Sequence, residues 1–342
     1  MIQSRRPTEN SDNWTVRPAA LDDFDAVLGL ITRLNWADYG EPMISADSLQ
    51  RLWQSPTLRL ATDTWLVASP EGQLAAYAQL LREGDTRFYP AVHVEEAYRE
   101  SGIGTHLLRL AEARAMASRG KHPHITLTSR ISQRNAAGTS TFEKAGYTRT
   151  LSFSMMEIRM VELPAPPQWP EGIAVRTFTV GQDEQATYAA DEEASEDKGY
   201  HDPLSFEAWA QRMNLYGDSF DPALWFLACD GDQVAGVALC AYSQETHTGW
   251  VDHLGVRRRW RNRGIGMALL LHSLGEFYRR GTGRVKLSVD SHSLTHAPRL
   301  YRRAGMEIVQ QYHIYRKNLR FDAPDEAART PGVETGEGAG RR

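Results

Sequence analysis

The sequence predicts two tandem domains of one α/β (α+β) class, each a mixed, mostly antiparallel central sheet flanked by helices. Three observations carry this: the length, an internal repeat, and the order of strand-like and helix-like runs within each repeat. The chain has 342 residues, against roughly 150 for a typical domain, so each half can enclose its own core. Hydrophobic residues make up 41% and charged residues 24%, the balance of a soluble globular protein. Lys+Arg 39 against Asp+Glu 43 leaves a formal charge of −4, which argues against a general nucleic-acid binder with a basic face. No apolar run approaches the ~20 residues that span a bilayer, and the polar start MIQSRRPTENSDN lacks an apolar leader core. A cytoplasmic location without membrane or nucleic-acid partners is expected. Cys229 and Cys240 are too few for a disulfide framework or a zinc site and read as buried thiols in strands.

The same text occurs twice, about 160 residues apart. Val16-Arg17 answers Val175-Arg176, TWLVASPEGQLAAYAQ from Thr64 answers LWFLACDGDQVAGVAL from Leu224, and VHVEEAYRESGIGTHLL from Val92 answers LGVRRRWRNRGIGMALL from Leu254. Last, FEKAGY from Phe142 answers YRRAGM from Tyr301. Units this long are duplicated domains rather than solenoid repeats. The expected boundaries are 14–162 and 172–319, joined by a proline-rich linker at 163–171. A start at 1–13 and a tail at 320–342 have too few large apolar residues to order themselves.

Within each copy the elements follow one order. A short strand at Trp14–Arg17 leads into a helix over Leu21–Leu34, where Phe24, Val27, Leu28 and Ile31 fall on one face. The tryptophan-containing segments read as strand pairs folded at Pro70-Glu71-Gly72 and Asp230-Gly231-Asp232. A further strand ends at Val94 or Val256, and a glycine-opened amphipathic helix follows it. Strands at His124–Thr128 and Val285–Asp290, a short helix and a closing strand pair complete each copy, with Ile308–Tyr315 the clearest closing strand.

The chemical centre of each copy is a strand, a charged loop and Arg-x-x-Gly-Ile-Gly: Arg99 to Gly104 in the first, Arg261 to Gly266 in the second. Such glycines let backbone N–H groups close on an anion, and the helix start adds its positive dipole end. A phosphate or pyrophosphate is the natural ligand. Neither copy has the Gly-Lys-Ser/Thr of a P-loop. A dinucleotide fold needs a third glycine where Leu107 and Leu269 stand, and a tighter strand-to-helix turn.

These loops resemble the acyl-CoA pyrophosphate site of the GCN5-related N-acetyltransferase (GNAT) superfamily, and the resemblance spans about 14–160 and 172–319. It implies a tandem GNAT protein using acetyl-CoA or another short acyl-CoA. By resemblance, Arg261, Arg263, Gly264, Ile265, Gly266 and Met267 would hold the pyrophosphate, as would Arg99, Ser101, Gly102, Ile103, Gly104 and Thr105. The pantetheine arm would run along Leu254, Gly255 and Val256, and along Val92, His93 and Val94. Ser293 lies near the place where relatives have a cofactor-contacting Asn, which the first copy keeps as Asn135. Ser291-His292-Ser293 carries no nucleophile reading of its own.

The copies differ where acetyl transfer needs an acid and a base. Family members often protonate the departing thiolate with a Tyr in Tyr-x-x-x-Gly; the second copy has Tyr301, the first Phe142. The base is expected on the strand before the loop. Alternation puts Trp250, Asp252, Leu254 and Val256 on one side unless a bulge intervenes; Asp252 is then the base, and His253 the candidate if the strand kinks. The first copy has Phe88-Tyr89-Pro90 there. The second copy is therefore expected to catalyse on its own.

Between the first two helices of the second copy, Asp191 to Asp202 holds six acids and one lysine. As a lid over the acceptor cleft, Glu192, Glu193 and Glu196 would draw in a cationic amine of a small molecule or peptide; an ordinary solvated loop is the plainer reading. Two other functions stay open. One is a mycothiol-synthase-like acetyltransferase, joining the acetyl group to a cysteinyl amine on a sugar conjugate; the other is an acyl-CoA-binding or sensing protein without turnover. The oligomeric state is not legible.

Overall fold

A computed structural model of the chain describes residues 14–69, 71–198, 201–217, 220–291 and 297–320. The start at 1–13, the tail beyond 320, and Pro70 of the first expected turn lie outside the described residues. Elements of the first copy are β1 Thr15–Arg17, α1 Phe24–Tyr39, α2 Ala46–Gln54, α3 Leu60–Asp63, β2 Thr64–Ala68, β3 Leu74–Glu83, β4 Arg87–Val94, α4 Ile103–Ser118, β5 His124–Ser132, α5 Ala136–Lys144 and β6 Thr148–Arg159. The second copy repeats them as β7 Ile173–Thr177, α6 Glu184–Ser195, α7 Phe206–Arg212, β8 Trp225–Asp230, β9 Gln233–Ser243, β10 Thr248–Val256, α8 Ile265–Arg279, β11 Arg284–Asp290, α9 Ala297–Arg303 and β12 Glu307–Arg320. Of the four periodic residues of α1, Val27 and Ile31 are buried and Phe24 and Leu28 half-buried against the same core, where Leu30 and Leu34 join them. That helix runs past Leu34 to Tyr39, where Gly40 adopts the left-handed conformation that stops it. Each copy closes on one long strand instead of the expected pair.

The chain divides into two compact units, and the division does not follow its halves. Unit 1 is Met1–Arg130, Arg134–Thr148 and Tyr315–Arg342; unit 2 is Ile131–Gln133 and Arg149–Ile314. In unit 1 the strands run in the order β1-β2-β3-β4-β5, followed by the end of β12. One core forms where α1 and α2 cover Leu66 and Tyr77, and a second where α4 covers Val67, Ala76 and Ala78.

In unit 2 the order is β6-β11-β10-β9-β8-β7. Residues that precede the linker in sequence thus complete the sheet of the second unit: β6 pairs antiparallel with β11 from Phe153↔Asp290 to Arg159↔Arg284. Side chains explain the fit. Met156 joins the core beside Leu287 and Val289. On the other face Glu157, 6% exposed, meets Arg284 at 2.8 Å and the buried Lys286 at 3.5 Å. Burial alone would raise the Glu157 carboxyl, but Arg284, Arg159 and Lys286 together hold it below the usual range. One face of the unit 2 sheet is covered by α8 through Leu269, Leu270, Leu274 and Phe277. The other is covered by α6 and α7 through Ala190 and Trp209.

Replacing Glu157 by Gln removes the carboxylate that bonds Arg284 and lies beside the buried Lys286. The expected cost is about 3 kcal/mol, read as a lower urea midpoint of the intact chain. An unchanged midpoint would mean that β6 is held by apolar contacts such as Met156 alone.

Candidate active site

The site is built on β10. Its antiparallel pairing with β9 runs its whole length, from Thr248↔Ser243 to Val256↔Gly236. Its parallel pairing with β11 stops after Trp250↔Lys286. Beyond Trp250 the two strands part, leaving one edge of β10 open. Over the same stretch the ladder slips by one residue between Val251 and His253. Asp252 is the extra residue of a β-bulge, and a bulge reverses which side chains share a face. Val251, Leu254 and Val256 pack in the α8-side core, whereas His253 and Gly255 turn to α6. A Cβ on Gly255 would come within 2.6 Å of Ala194 Cβ, so only glycine lets α6 lie this close. The alternation expected for Trp250, Asp252, Leu254 and Val256 therefore breaks at Asp252, because the bulge intervenes.

At the C-terminal end of β10 a tight 3-10 turn, Arg258–Trp260, leads to the glycine loop. Gly264 caps α8 at φ +89°, in the left-handed region. The first intrahelical bond runs from Ala268 N–H to Gly264 O, so the amides of Ile265, Gly266 and Met267 precede it and have no acceptor within the helix. A Cβ on Gly266 would sit 3.3 Å from Leu300 of α9. These features outline a cleft of about 650 Å³ between the parted ends of β10 and β11, floored by α8 and walled by α9. It is lined by Leu254, Gly255, Val256, Arg261, Gly264 to Met267, Asp252, His253 and Tyr301. Open amides at a helix start, with Arg299 and Arg303 on the opposite wall, suit a polyanion such as a pyrophosphate. The open backbone edge of β10 suits an extended arm.

Two carboxylates meet His253 differently. The buried Asp191 of α6 accepts from His253 Nδ1 at 2.7 Å and from Trp209 Nε1 at 2.9 Å. Asp252 is exposed by surface area, yet protein crowds its carboxyl; that desolvation raises it above the usual range, with His253 pulling the other way. A second cavity of about 330 Å³ lies alongside, lined by Arg212, Asn214, Phe220, Trp225 and Cys240, and it shares Asp252 and His253 with the larger cleft. Burial pushes the Cys240 thiol up to about 12, so it stays protonated there. Tyr301, 8% exposed, stands on the larger cleft.

The remaining expected residues are placed otherwise. Glu192, Glu193 and Glu196 do not form a lid: the first two belong to α6, and Glu196 caps its end. Their charges are taken up locally. Glu193 accepts from Arg257 at 2.6 Å, Glu196 lies 3.0 Å from Arg258, and Glu192 receives Leu204 N–H at 3.2 Å and lies 3.1 Å from His201. The reason is that β10 delivers Arg257 and Arg258 directly against the end of α6. Asp197 extends this network, bonding Arg258 and Arg261, and Arg261 also donates to Val256 O at 2.9 Å. Arg263 points away, toward Glu171 O at 3.3 Å. Ser293 lies outside the described residues. Asp191, Arg299 and Arg303 were missed. So was Lys198, which lines the cleft and whose ammonium burial holds below the usual lysine range. None of these sits within a motif, and only the repeat of a charged residue on α9 could have pointed to the two arginines.

Unit 1 repeats the frame with different side chains at the corresponding positions. Its β4 also leaves β5 early, after Phe88↔Leu127, but Ser129 Oγ then donates to Pro90 O at 2.6 Å across the gap. The β3–β4 ladder has no register shift, so Asp252 has no counterpart, and Ala91 stands at the register of His253. Phe142 replaces Tyr301 and is buried against Tyr147 and Tyr315. Val92 and Val94 pack with Ile103 in the α4-side core. His93 stacks on Tyr77, and burial pushes its imidazole down to about 4. Asn135 caps α5 through Gly138 N–H and donates to Asp38, beside which Arg99 lies at 3.7 Å. Gly102 repeats the left-handed cap at φ +83°, with Gly104 and Thr105 in the first turn, but the Ser101 hydroxyl accepts from Ile103 N–H at 3.4 Å.

The acetyltransferase (GNAT) family model matches residues 29–147 and 185–306, and the chain belongs to that family; it is an acetyltransferase built from two GNAT domains. The chain is 32% identical, over 84% of its length and 91% of the relative's, to a mycothiol acetyltransferase of Kineococcus radiotolerans. Among solved structures, a GCN5-related N-acetyltransferase from Sphaerobacter thermophilus superposes with a TM-score of 0.78 at 36% identity, covering 90% of this chain and 96% of the other. A tandem GNAT protein from the clavulanic acid biosynthesis pathway shares the fold, with a TM-score of 0.66 at 16% identity over 89% of this chain and 98% of its own.

The arginine cage on Asp197 makes a direct prediction. Hydrogen bonds from Arg258 and Arg261 lower its carboxyl to about 2. A folded value below the unfolded one of roughly 3.9 means that this contribution is present above about pH 4 and fades as pH falls toward 2. Carboxyl NMR of the intact chain is expected to show Asp197 titrating near 2, and to return it toward the ordinary range in Arg258→Ala. A normal midpoint in the parent chain would show that the cage does not persist in solution.

Proposed function

We propose that the chain moves an acetyl group from acetyl-CoA to a primary amine by direct attack, and that unit 2 alone does so. The observation that carries this is the bulge in β10: it sets Asp252 and His253 on the wall common to the two cavities, while Tyr301 faces the larger one. The residues of the larger cleft fit acyl-CoA. The amides of Ile265, Gly266 and Met267 and the side chains of Arg299 and Arg303 would hold its phosphates, and the open edge of Leu254 to Val256 its pantetheine arm. When bound, acetyl-CoA supplies an activated acyl carbon and a thiolate leaving group.

The protein's part is proton management and orientation. An acceptor in the smaller cavity brings its ammonium to Asp252, whose raised carboxylate is a stronger base than an ordinary one. Tyr301 Oη gives its proton to the departing sulfur and regains one from the nitrogen as the amide forms. One N–C bond forms, one C–S bond breaks, and one proton leaves with the wall residues. Because the relatives are mycothiol acetyltransferases, the acceptor we favour is the cysteinyl amine of a cysteine–amino-sugar conjugate. The mixed lining of the smaller cavity, Arg212 and Asn214 beside Phe220 and Trp225, supports a polar body with an apolar contact.

Asp252→Asn and Tyr301→Phe are each expected to lower kcat on the order of 10²-fold with that conjugate, with KM for acetyl-CoA little changed. The Asp252→Asn deficit should shrink at high pH, where the amine deprotonates unaided. Full activity in both variants would sink the acid–base reading, and tight acetyl-CoA binding without turnover would favour a sensing role. Calorimetric titration with acetyl-CoA should find one site per chain, lost in Gly264→Val and kept in Gly102→Val. Two sites would show that the unit 1 loop binds as well.

A further inference from the structure

The mechanism above leaves Asp191 without a task. It lies on the inner face of α6 at 3% exposure, among Trp209, Trp225 and Val237. Packing does not call for a carboxylate here, since an apolar side chain of similar size often serves a buried position as well or better. Its one oxygen Oδ2 receives two donors, Trp209 Nε1 and His253 Nδ1. A carboxylate can only accept, so the neutral imidazole must carry its proton on Nδ1. The opposite ring nitrogen, Nε2, is then an unprotonated acceptor on a side chain that lines both cavities.

We infer that Asp191 is a positioning residue that fixes the tautomer and direction of His253, so that His253 Nε2 carries the acceptor's proton on from Asp252. The inference rests on the acid–base reading given above. The proton taken from the ammonium by Asp252 passes to Nε2, and the imidazolium formed is paired with the Asp191 carboxylate. Burial would by itself raise that carboxylate, but the charge and hydrogen bond of His253, then Trp209 and Lys198, hold it below its usual range, so it stays ionised for this role. The charged groups around the ring are Asp191 and Lys198 from α6 and the turn after it, Asp252 on β10 and Arg212 at the end of α7. The Cys240 thiol on β9 is neutral. The bulge matters here too: without the extra residue, His253 would fall on the α8 face, out of reach of α6.

The first test reads the tautomer in the parent chain. In the intact chain labelled with [15N]histidine, a long-range 1H–15N spectrum reads the tautomer of each neutral ring, and His253→Gln identifies the signal. The expected result is a proton on Nδ1 of His253; a proton on Nε2 overturns the inference. Asp191→Asn should turn the tautomer over, because the amide can donate to Nδ1. It should also lower kcat by about 10²-fold with acetyl-CoA and the cysteine–amino-sugar conjugate, at unchanged KM for acetyl-CoA, and Asp191→Glu should recover part of the loss. Turnover of the tautomer with kcat intact also overturns it. If Asp191→Asn does not fold, His253→Gln carries the kinetic arm with the same expected loss. Full activity in Asp191→Asn and His253→Gln, with Asp252→Asn impaired, sinks this inference alone. Full activity in Asp252→Asn and Tyr301→Phe sinks the reading beneath it.

Discussion

Between Trp250 and Val256, β10 keeps β9 as a neighbour and gives up β11, and the cleft of unit 2 follows from that departure. A strand that loses one partner exposes a row of backbone groups, which costs free energy unless something pairs with them. An extended arm is the natural partner, and the α8 amides at the end of the gap are the natural seat for its phosphates. The same stretch carries the bulge. One residue inserted against β9 sends His253 to α6 and leaves Asp252 at the wall, so a single backbone irregularity sets both the direction of an imidazole and the crowding of a carboxyl. Unit 1 shows what the frame is without it: the strands part, but the ladder is regular and no residue is extruded.

A second constraint comes from charge. The segment after α6 is strongly acidic, and β10 ends by delivering Arg257, Arg258 and Arg261 against it. Glu193 answers Arg257, Glu196 and Asp197 share Arg258, and Asp197 also takes Arg261, so these acids are tied to the turn that leads to the glycine loop. Arg261, tied to Asp197 and to Val256 O, is held as a brace of the loop. Arg299 and Arg303 on α9 and Lys198 bring further positive charge to the cleft. In unit 2 the strand β6 adds a comparable internal pairing, Glu157 with Arg284 and Lys286, in which a strand from before the linker sets one carboxylate against two cations of β11.

Much of this was legible in the residues themselves. The repeat announced two folds, turn chemistry and 3.6-residue spacing placed most elements, and Arg-x-x-Gly-x-Gly pointed to the family. Tyr301 against Phe142 set the two copies apart at the position where the family often carries its acid. These features are local, a few residues wide, and local spacing is what a sequence displays. The acidic lid failed as an expectation for the converse reason, because a run of carboxylates does not reveal which cations will be folded onto it.

What the sequence by itself determined is the composition of each element and the identity of the glycine loop, because backbone conformation and amphipathic pattern are set by neighbours in the chain. What only the tertiary structure decided is which strand completes which sheet, that one residue of β10 is extruded, and that Asp191 and His253, 62 positions apart, meet. Register is a property of two strands together. Nothing in either strand alone says where it will slip, and the direction of His253 depends on that slip.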